Sequence, residues 1–471
     1  MFNKNPNLNR KFILLTTSIA SFITPFTSTV ITFAVPGIGN EFHANFYLVT
    51  WIPISFLVSL TSLMITIGRL SDIFGRALFF RIGFVIFVIS SLLIYLSNNI
   101  YELIIFTFIA GIGAAFVGTN STAIVSHVYP DKKRGGALGI NAMSVYLGLT
   151  LAPFLGGMII QLYGWRTIFI LIIILSILAF LLSFITLKGM NSGKKLKLDK
   201  IGIITFSSSL FFITTYFSMS EFIDFYFSIM LILSGLILFF IFIWHEFRID
   251  YPLIDFKIFK KSRTFTFSNI SAFLNYLSTF SIVFIFSLYL QVLKGISPFQ
   301  AGLILSVEPI LMVAISPISG RLSDRYGSRE IAAIGTSVIG IGFIMLYIFN
   351  LSNTLNIIMS LSIIGIGFGL FTAPNTNSVM GSVEKKDLSL ASGILGTVRF
   401  TGQIFSIVIS SIIISRAVPR KELILMFAGY MGSFGYINPL DFTSAVKSVV
   451  LISSILSFLA SFTSLMKNRG E

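Results

Sequence analysis

Gly68-Arg69-Leu70-Ser71-Asp72-Ile73-Phe74-Gly75-Arg76 is a short charged turn between two apolar runs, and Gly320-Arg321-Leu322-Ser323-Asp324-Arg325-Tyr326-Gly327 repeats it 252 positions later. A charged turn kept twice between hydrophobic segments points to a duplicated membrane protein whose halves move against each other. Other short stretches carry the same duplication. Gly111-Ile112-Gly113 matches Gly365-Ile366-Gly367, Ala137-Leu138-Gly139 matches Ala391-Ser392-Gly393, and Tyr146-Leu147-Gly148 matches Phe400-Thr401-Gly402, each 254 positions on.

Composition agrees with a membrane setting. Of 471 residues, 55% are hydrophobic and 11% charged, and the mean hydropathy is +0.93. Apolar runs of about 20 residues recur along the chain, long enough to cross a bilayer as helices. Backbone polar groups in lipid must be satisfied within the segment, so the runs are expected to be α-helical. The period-two alternation of a transmembrane barrel is absent. The spans read at about 12–35, 47–67, 78–97, 102–127, 137–161, 166–187, 201–219, 225–245, 265–292, 299–319, 330–349, 356–378, 389–415 and 446–466. The first is too long for a signal peptide and is expected to end at Pro36.

The net charge of +15 invites a nucleic-acid reading, but position argues otherwise. The basic residues sit in short loops of one parity. Only Arg166, Lys294, Arg416, Arg420, Lys421 and Lys447 fall in loops of the other, and Arg399 lies within a span. That asymmetry is the positive-inside pattern, and it sets both termini in the cytoplasm of a multi-pass cell-membrane protein. One outer loop, 417–445, is long, and its apolar segment Leu423 to Met431 is suited to the membrane surface. The expected class is an all-α membrane protein of fourteen transmembrane helices: an N-terminal six-helix half over 1–190, an inserted pair of spans with its linkers over 191–262, and a C-terminal six-helix half over 263–471.

No catalytic cluster stands out, and the chain has no cysteine. His43, His127 and His245 lack metal-ligand spacing. No phosphate-binding Gly-Lys-Ser/Thr loop is present, so no cofactor is expected. The turn residues Gly68, Asp72, Gly75, Arg76, Gly320, Asp324 and Gly327 are candidates for a gating latch. Asp72 lies just before the third span, where a carboxylate can cap the helix and pair with Arg76. In the fifth span Gly148, Pro153, Gly156 and Gly157 permit close packing and a bend, by themselves or as part of a rocking interface.

Two ionisable groups lie deep in spans, where charge is costly and usually functional: Glu308, before Pro309, and Arg399. Glu308 is a candidate proton-exchange group, or a partner for Arg399. Thr27, Ser28, Thr32, Asn120, Asn275, Gln291, Asn375, Asn377 and Gln403 are polar positions that suit a path, or helix–helix hydrogen bonds. Some of the 51 phenylalanines are expected to line a cavity for apolar, aromatic ligands.

These residues together resemble the major facilitator superfamily, in particular its fourteen-span drug:proton antiporter branch. The resemblance covers essentially the whole chain. Gly68 to Arg76 is similar to the family's loop between spans 2 and 3. Gly148 to Gly157 is similar to its antiporter motif, with Ala152 where glycine is usual. Trp51, Trp165-Arg166, Tyr289-Leu290-Gln291, Ser297-Pro298-Phe299-Gln300-Ala301-Gly302 and Arg399 also match. The resemblance implies alternating access, efflux of lipophilic or cationic compounds, protons as coupling ion, and a monomeric unit in the bilayer with no nucleic-acid partner. Two positions depart from the family. The first span ends Thr27-Ser28-Thr29-Val30-Ile31-Thr32-Phe33-Ala34-Val35-Pro36, without the usual aspartate. Thr107 and Ala110 stand in span 4 where arginine and glutamine are usual. Coupling has then moved to Glu308 or been lost, which keeps open a proton-independent metabolite carrier and a non-transporting sensor or scaffold.

Overall fold

The structure is a computed structural model describing residues 6–129, 131–187, 199–219, 224–249, 252–254, 256–383, 388–419, 422–423 and 438–468. Helices account for nearly all of it: α1 (Pro6–Phe42), α2 (Phe46–Phe74), α3 (Arg76–Leu96), α4 (Ile100–Val128), α5 (Asp131–Tyr163), α6 (Thr167–Thr186), α7 (Lys200–Met219), α8 (Phe225–Glu246), the short α9 (Lys257–Lys261), α10 (Arg263–Thr279), α11 (Ser281–Leu288), α12 (Pro298–Tyr326), α13 (Ser328–Ile348), α14 (Thr354–Gly381), α15 (Leu388–Ala417) and α16 (Pro439–Leu465). Among the described residues, 14 helical stretches are long and apolar enough to cross a membrane. The ninth is composite. α10 stops at Thr279, α11 follows, and a π-helical turn, Tyr289–Leu293, closes it. The amide of Ser281 at the break donates to Ser406 Oγ of α15 at 2.9 Å.

Two boundaries differ from the sequence expectation. α1 runs past Pro36 to Phe42. A proline removes one intrahelical bond, and tertiary anchors there offset it: Trp165 Nε1 donates to Glu41 Oε2 at 2.5 Å and the Trp165 ring lies 6.1 Å from Phe42. Asp72 lies within the last turn of α2, and the residue that directly precedes α3 is Gly75. Of the 417–445 loop, residues 420–421 and 424–437 lie outside the described residues, and with them most of the Leu423 to Met431 segment.

Chain contacts divide the protein into two units: Met1–Thr29, Ser55–Leu149 and Arg166–Asp255, and Val30–Ile54, Thr150–Trp165 and Phe256–Glu471. The inserted pair, α7 and α8, falls in the first. It packs there through Thr66 Oγ1 to Ser207 Oγ at 2.9 Å and an edge-on Phe108–Phe211 contact at 5.9 Å.

The internal repeat holds at the level of single atoms. In the first unit α5 crosses α1 at Gly148, where a Cβ would stand 2.6 Å from Phe22 O and 3.2 Å from Phe26 N. In the second α15 crosses α10 at Gly402, where a Cβ would stand 2.8 Å from Phe273 O and 3.2 Å from Leu277 N. Gly111 of α4 lies against the carbonyl of Phe56 in α2, and Gly365 of α14 against the carbonyl of Glu308 in α12. Contacts this close need a residue without a side chain, which is why these glycines recur at fixed offsets.

Candidate transport site and gating elements

The two charged turns are built alike. Ser71 Oγ donates to Gly68 O and Ser323 Oγ to Gly320 O, each at 2.8 Å. The amide of Gly75 donates to Ser71 O and that of Gly327 to Ser323 O, each at 2.9 Å. Gly75 and Gly327 then reverse the chain with φ of 111 and 94 degrees. Only glycine takes such angles without strain, so both turns are fixed by the same residue for the same reason. Arg76 reaches from the first turn to α4, where Nη1 donates to Ala123 O at 3.1 Å. The side chains of Asp72 and Asp324 lie outside those described.

The α5 motif is divided. Gly148 packs on α1 within the first unit, whereas Pro153, Gly156 and Gly157 belong to the second. There a Cβ on Gly157 would stand 2.5 Å from Pro298 O, and Gly302 lies against the carbonyl of Pro153. Gly156 faces Val30 and Phe33 of α1. Gln161 Oε1 accepts from Phe299 N at 3.2 Å, and the Phe154 and Phe299 rings are 6.2 Å apart. The end of α5 and the start of α12 thus cross backbone to backbone. This joins two segments, Pro153–Gly157 and Ser297–Gly302, that the sequence presents separately.

The deep charges do not meet. Arg399 of α15 lies over the ring of Tyr276 in α10, with its guanidinium carbon 4.7 Å from the centroid. Among the described residues no ion pair joins it to Glu308, a pairing that the sequence leaves open as one alternative for the two. The geometry explains this: the Glu308 backbone sits in the α12–α14 crossing at Gly365, and Arg399 sits in the α10–α15 crossing near Gly402.

On the same two helices, α10 and α15, lie buried amide groups that are unsatisfied among the described residues. Asn275 is fully buried, and neither its oxygen nor its nitrogen has a partner among the described residues. Gln403 Oε1, one turn beyond Arg399, is likewise buried and unpaired. Buried amides without partners are uncommon and call for an explanation such as a ligand or water. The same helices contribute to aromatic pairs, Phe273 on Phe405 at 6.3 Å and Tyr276 on Phe368 of α14 at 5.5 Å. Gln291 lies on the π turn, with Nε2 3.5 Å from Phe33 O. Such turns recur at functional positions. No periodicity in the sequence marks this one.

In the first unit the polar positions remain neutral. Thr27 is buried with no partner for Oγ1 among the described residues. Asn120 donates to Phe116 O at 2.8 Å, and its Oδ1 is unpaired among the described residues. Thr107, where the resemblance implies arginine, shares a 2.8 Å hydrogen bond with Ser55. This neutral pair is fully buried.

One charged group escaped the sequence reading. Lys467, counted only as a basic residue after the last span, is 2% exposed, and its Nζ donates to Asn375 Oδ1 at 2.8 Å. Asn375 Nδ2 in turn donates to Ser268 O at 3.2 Å. Burial lowers the Lys467 ammonium to about 7. Asn377, two residues on, is exposed.

The chain is similar to known transporters throughout. The family model described as Major Facilitator Superfamily matches residues 17–406 and 268–466. The riboflavin transporter RibZ of Clostridioides difficile (strain 630) is 29% identical over 82% of this chain and 84% of its own length. The multidrug transporter protein MdtP of Bacillus subtilis (strain 168) is 26% identical over 86% of this chain and 75% of its own. Among solved structures, a bacterial homolog of the human lysosomal transporter Spinster aligns over 100% of both chains with a TM-score of 0.67 and 15% identity. A peptide transporter, POT, aligns over 97% of this chain and 95% of its own with a TM-score of 0.68, also at 15% identity. At that identity the structures speak for the fold, and the family match speaks for descent: this chain belongs to the Major Facilitator Superfamily and is a multi-pass membrane transporter.

Proposed function

We propose that this chain works by alternating access as a member of the fourteen-span drug:proton antiporter branch, with its basic loops and both termini in the cytoplasm. Residues 1–190 and 263–471 act as the two moving halves, and 191–262 as an accessory pair. The cargo is a lipophilic, aromatic small molecule that forms hydrogen bonds. The observation that carries this reading is Arg399 over Tyr276, with the Asn275 amide and Gln403 Oε1, unpaired among the described residues, on the same two helices. Aromatic faces and free amide groups suit a planar heteroaromatic ligand, and the guanidinium favours a neutral or anionic one over a cation. Glu308 is the coupling group in this scheme: it is deep in α12 and, among the described residues, no ion pair holds it.

A second reading, a proton-independent metabolite carrier, draws support from the neutral Thr107–Ser55 pair and from the name of the RibZ relative. Proteoliposomes separate the two. Riboflavin and a lipophilic dye are offered with and without an imposed proton gradient, to wild type and to Glu308→Gln. Gradient-driven movement lost in the variant supports antiport through Glu308. Movement indifferent to the gradient in both proteins supports the carrier. Failure to move either compound counts against the proposed cargo class.

A further inference from the structure

The inserted pair carries a cluster that the transport reading does not use. Asp199 caps α7, its Oδ1 accepting from Gly202 N at 2.8 Å. Nε2 of His245, in the last turn of α8, lies 2.8 Å from the same oxygen. The next residue, Glu246, gathers the chain that follows: Oε1 accepts from Leu253 N and Oε2 from Ile254 N, each at 3.1 Å. Asp199 and Glu246 are each 5% exposed. They converge over Gly202, where a Cβ would collide with Asp199 Oδ2 and stand 2.7 Å from Glu246 Oε1. Asp199 Oδ2 has no hydrogen-bond partner among the described residues.

A helix cap accounts for Asp199 Oδ1 but not for a second carboxylate buried against Oδ2. Two carboxylates this close cannot both stay ionised cheaply, and a proton between them turns repulsion into a strong O–H···O bond. Among the described residues of the first unit, His245 is the one basic side chain within hydrogen-bond distance of either carboxylate. Lys200 on α7 is exposed, and Arg248 lies over the Trp244 ring at 4.1 Å. α2 carries Arg69, and α4 carries Glu102 and His127. None of their described side chains pairs with either carboxylate.

We propose that Asp199 and Glu246 form a proton-binding site which, when occupied, clamps residues 252–254 onto the end of α8 and so tethers the segment leading out of the inserted pair. The proton is held between Asp199 Oδ2 and Glu246. Its loss sets the carboxylates against each other, and Glu246 releases the amides of Leu253 and Ile254. The site needs no particular cargo, so its test does not depend on transport.

The chain is free of cysteine, which makes single-cysteine labelling clean. Leu253→Cys in the full-length protein, held in lipid nanodiscs, is labelled with a soluble maleimide from pH 6 to 8.5. Rates are normalised to Ser352→Cys on an exposed loop. The expected result is at least a five-fold rise in the normalised rate with pH. The rise should disappear with Glu246→Gln, whose amide hydrogen stands in permanently for the proton, and with Asp199→Asn as a second background. A flat normalised rate in the parent overturns the proposal. So does an equal rise in both carboxylate variants, which would assign the titration to His245.

Discussion

Lys467 donates from Nζ to Asn375 Oδ1 at 2.8 Å, and both side chains are buried. Burial takes the ammonium from 10.5 down to about 7. Between those values the unfolded chain holds a proton that the folded one does not, so stability rises with pH across the window and is lost as pH falls toward 7. Lys467→Met removes the titration. The melting temperature of wild type in detergent is expected to climb by several degrees relative to the variant between pH 7 and 10. Parallel profiles would show that Lys467 is not the group responsible.

Gly75 and Gly327 make a matched pair for a second experiment. Each sits at positive φ between two helices, 252 positions from the other. Alanine at either should cost about 1–3 kcal/mol, the usual price of forcing a side chain into that region. Gly320→Ala is the control, since a Cβ there meets nothing within 4 Å and the residue is helical. Thermal unfolding should show similar losses for Gly75→Ala and Gly327→Ala and none for Gly320→Ala. Unequal losses would mean that the two turns are not energetic equivalents.

The turns show what the sequence made legible. Their repetition, the Gly111/Gly365 and Gly148/Gly402 offsets and the apolar spans all follow from local pattern, because a duplicated helix crossing must keep its small residue. The partners of those glycines were not legible. Nothing in Glu308 or Arg399 says which crossing each occupies, so pairing them was natural from charge alone and the packing separates them. Lys467 was hidden for a related reason. A basic residue just past a span satisfies the loop-charge rule whether it is exposed or buried, and only the fold shows Asn375 beside it. The π turn at Tyr289–Leu293 has no signature in side-chain period, since one extra residue per turn leaves an apolar run apolar.

The crossing of α5 and α12 predicts a conformational phenotype. Both sides present backbone carbonyls to a glycine, Pro298 to Gly157 and Pro153 to Gly302. A methyl at Gly157 has no flexible neighbour to displace, so Gly157→Ala should push the helices apart. Transport in proteoliposomes is expected to fall at least ten-fold, with some loss of melting temperature as the crossing opens. Gly393→Ala, where a Cβ meets nothing within 4 Å, should transport normally. Unimpaired transport by Gly157→Ala would show that this contact can open without consequence.

The proposed cargo site rests on Arg399 and its aromatic support, and the two contributions can be separated. Arg399→Lys keeps the charge but loses the planar face that stacks on Tyr276, whereas Tyr276→Phe keeps the ring and loses the hydroxyl. If the guanidinium face and the ring together hold a planar ligand, Arg399→Lys should raise KM for an aromatic substrate about ten-fold, while Tyr276→Phe changes it less than three-fold. Asn275→Leu, which removes both unpaired amide atoms at similar volume, should leave folding intact or improve it, because an unsatisfied buried amide costs stability. The same variant should lose affinity for substrates that present hydrogen-bonding edges and keep it for hydrocarbon dyes. An Asn275→Leu protein that binds both classes as wild type does would show that the amide is structural, and the site would then have to be sought away from α10.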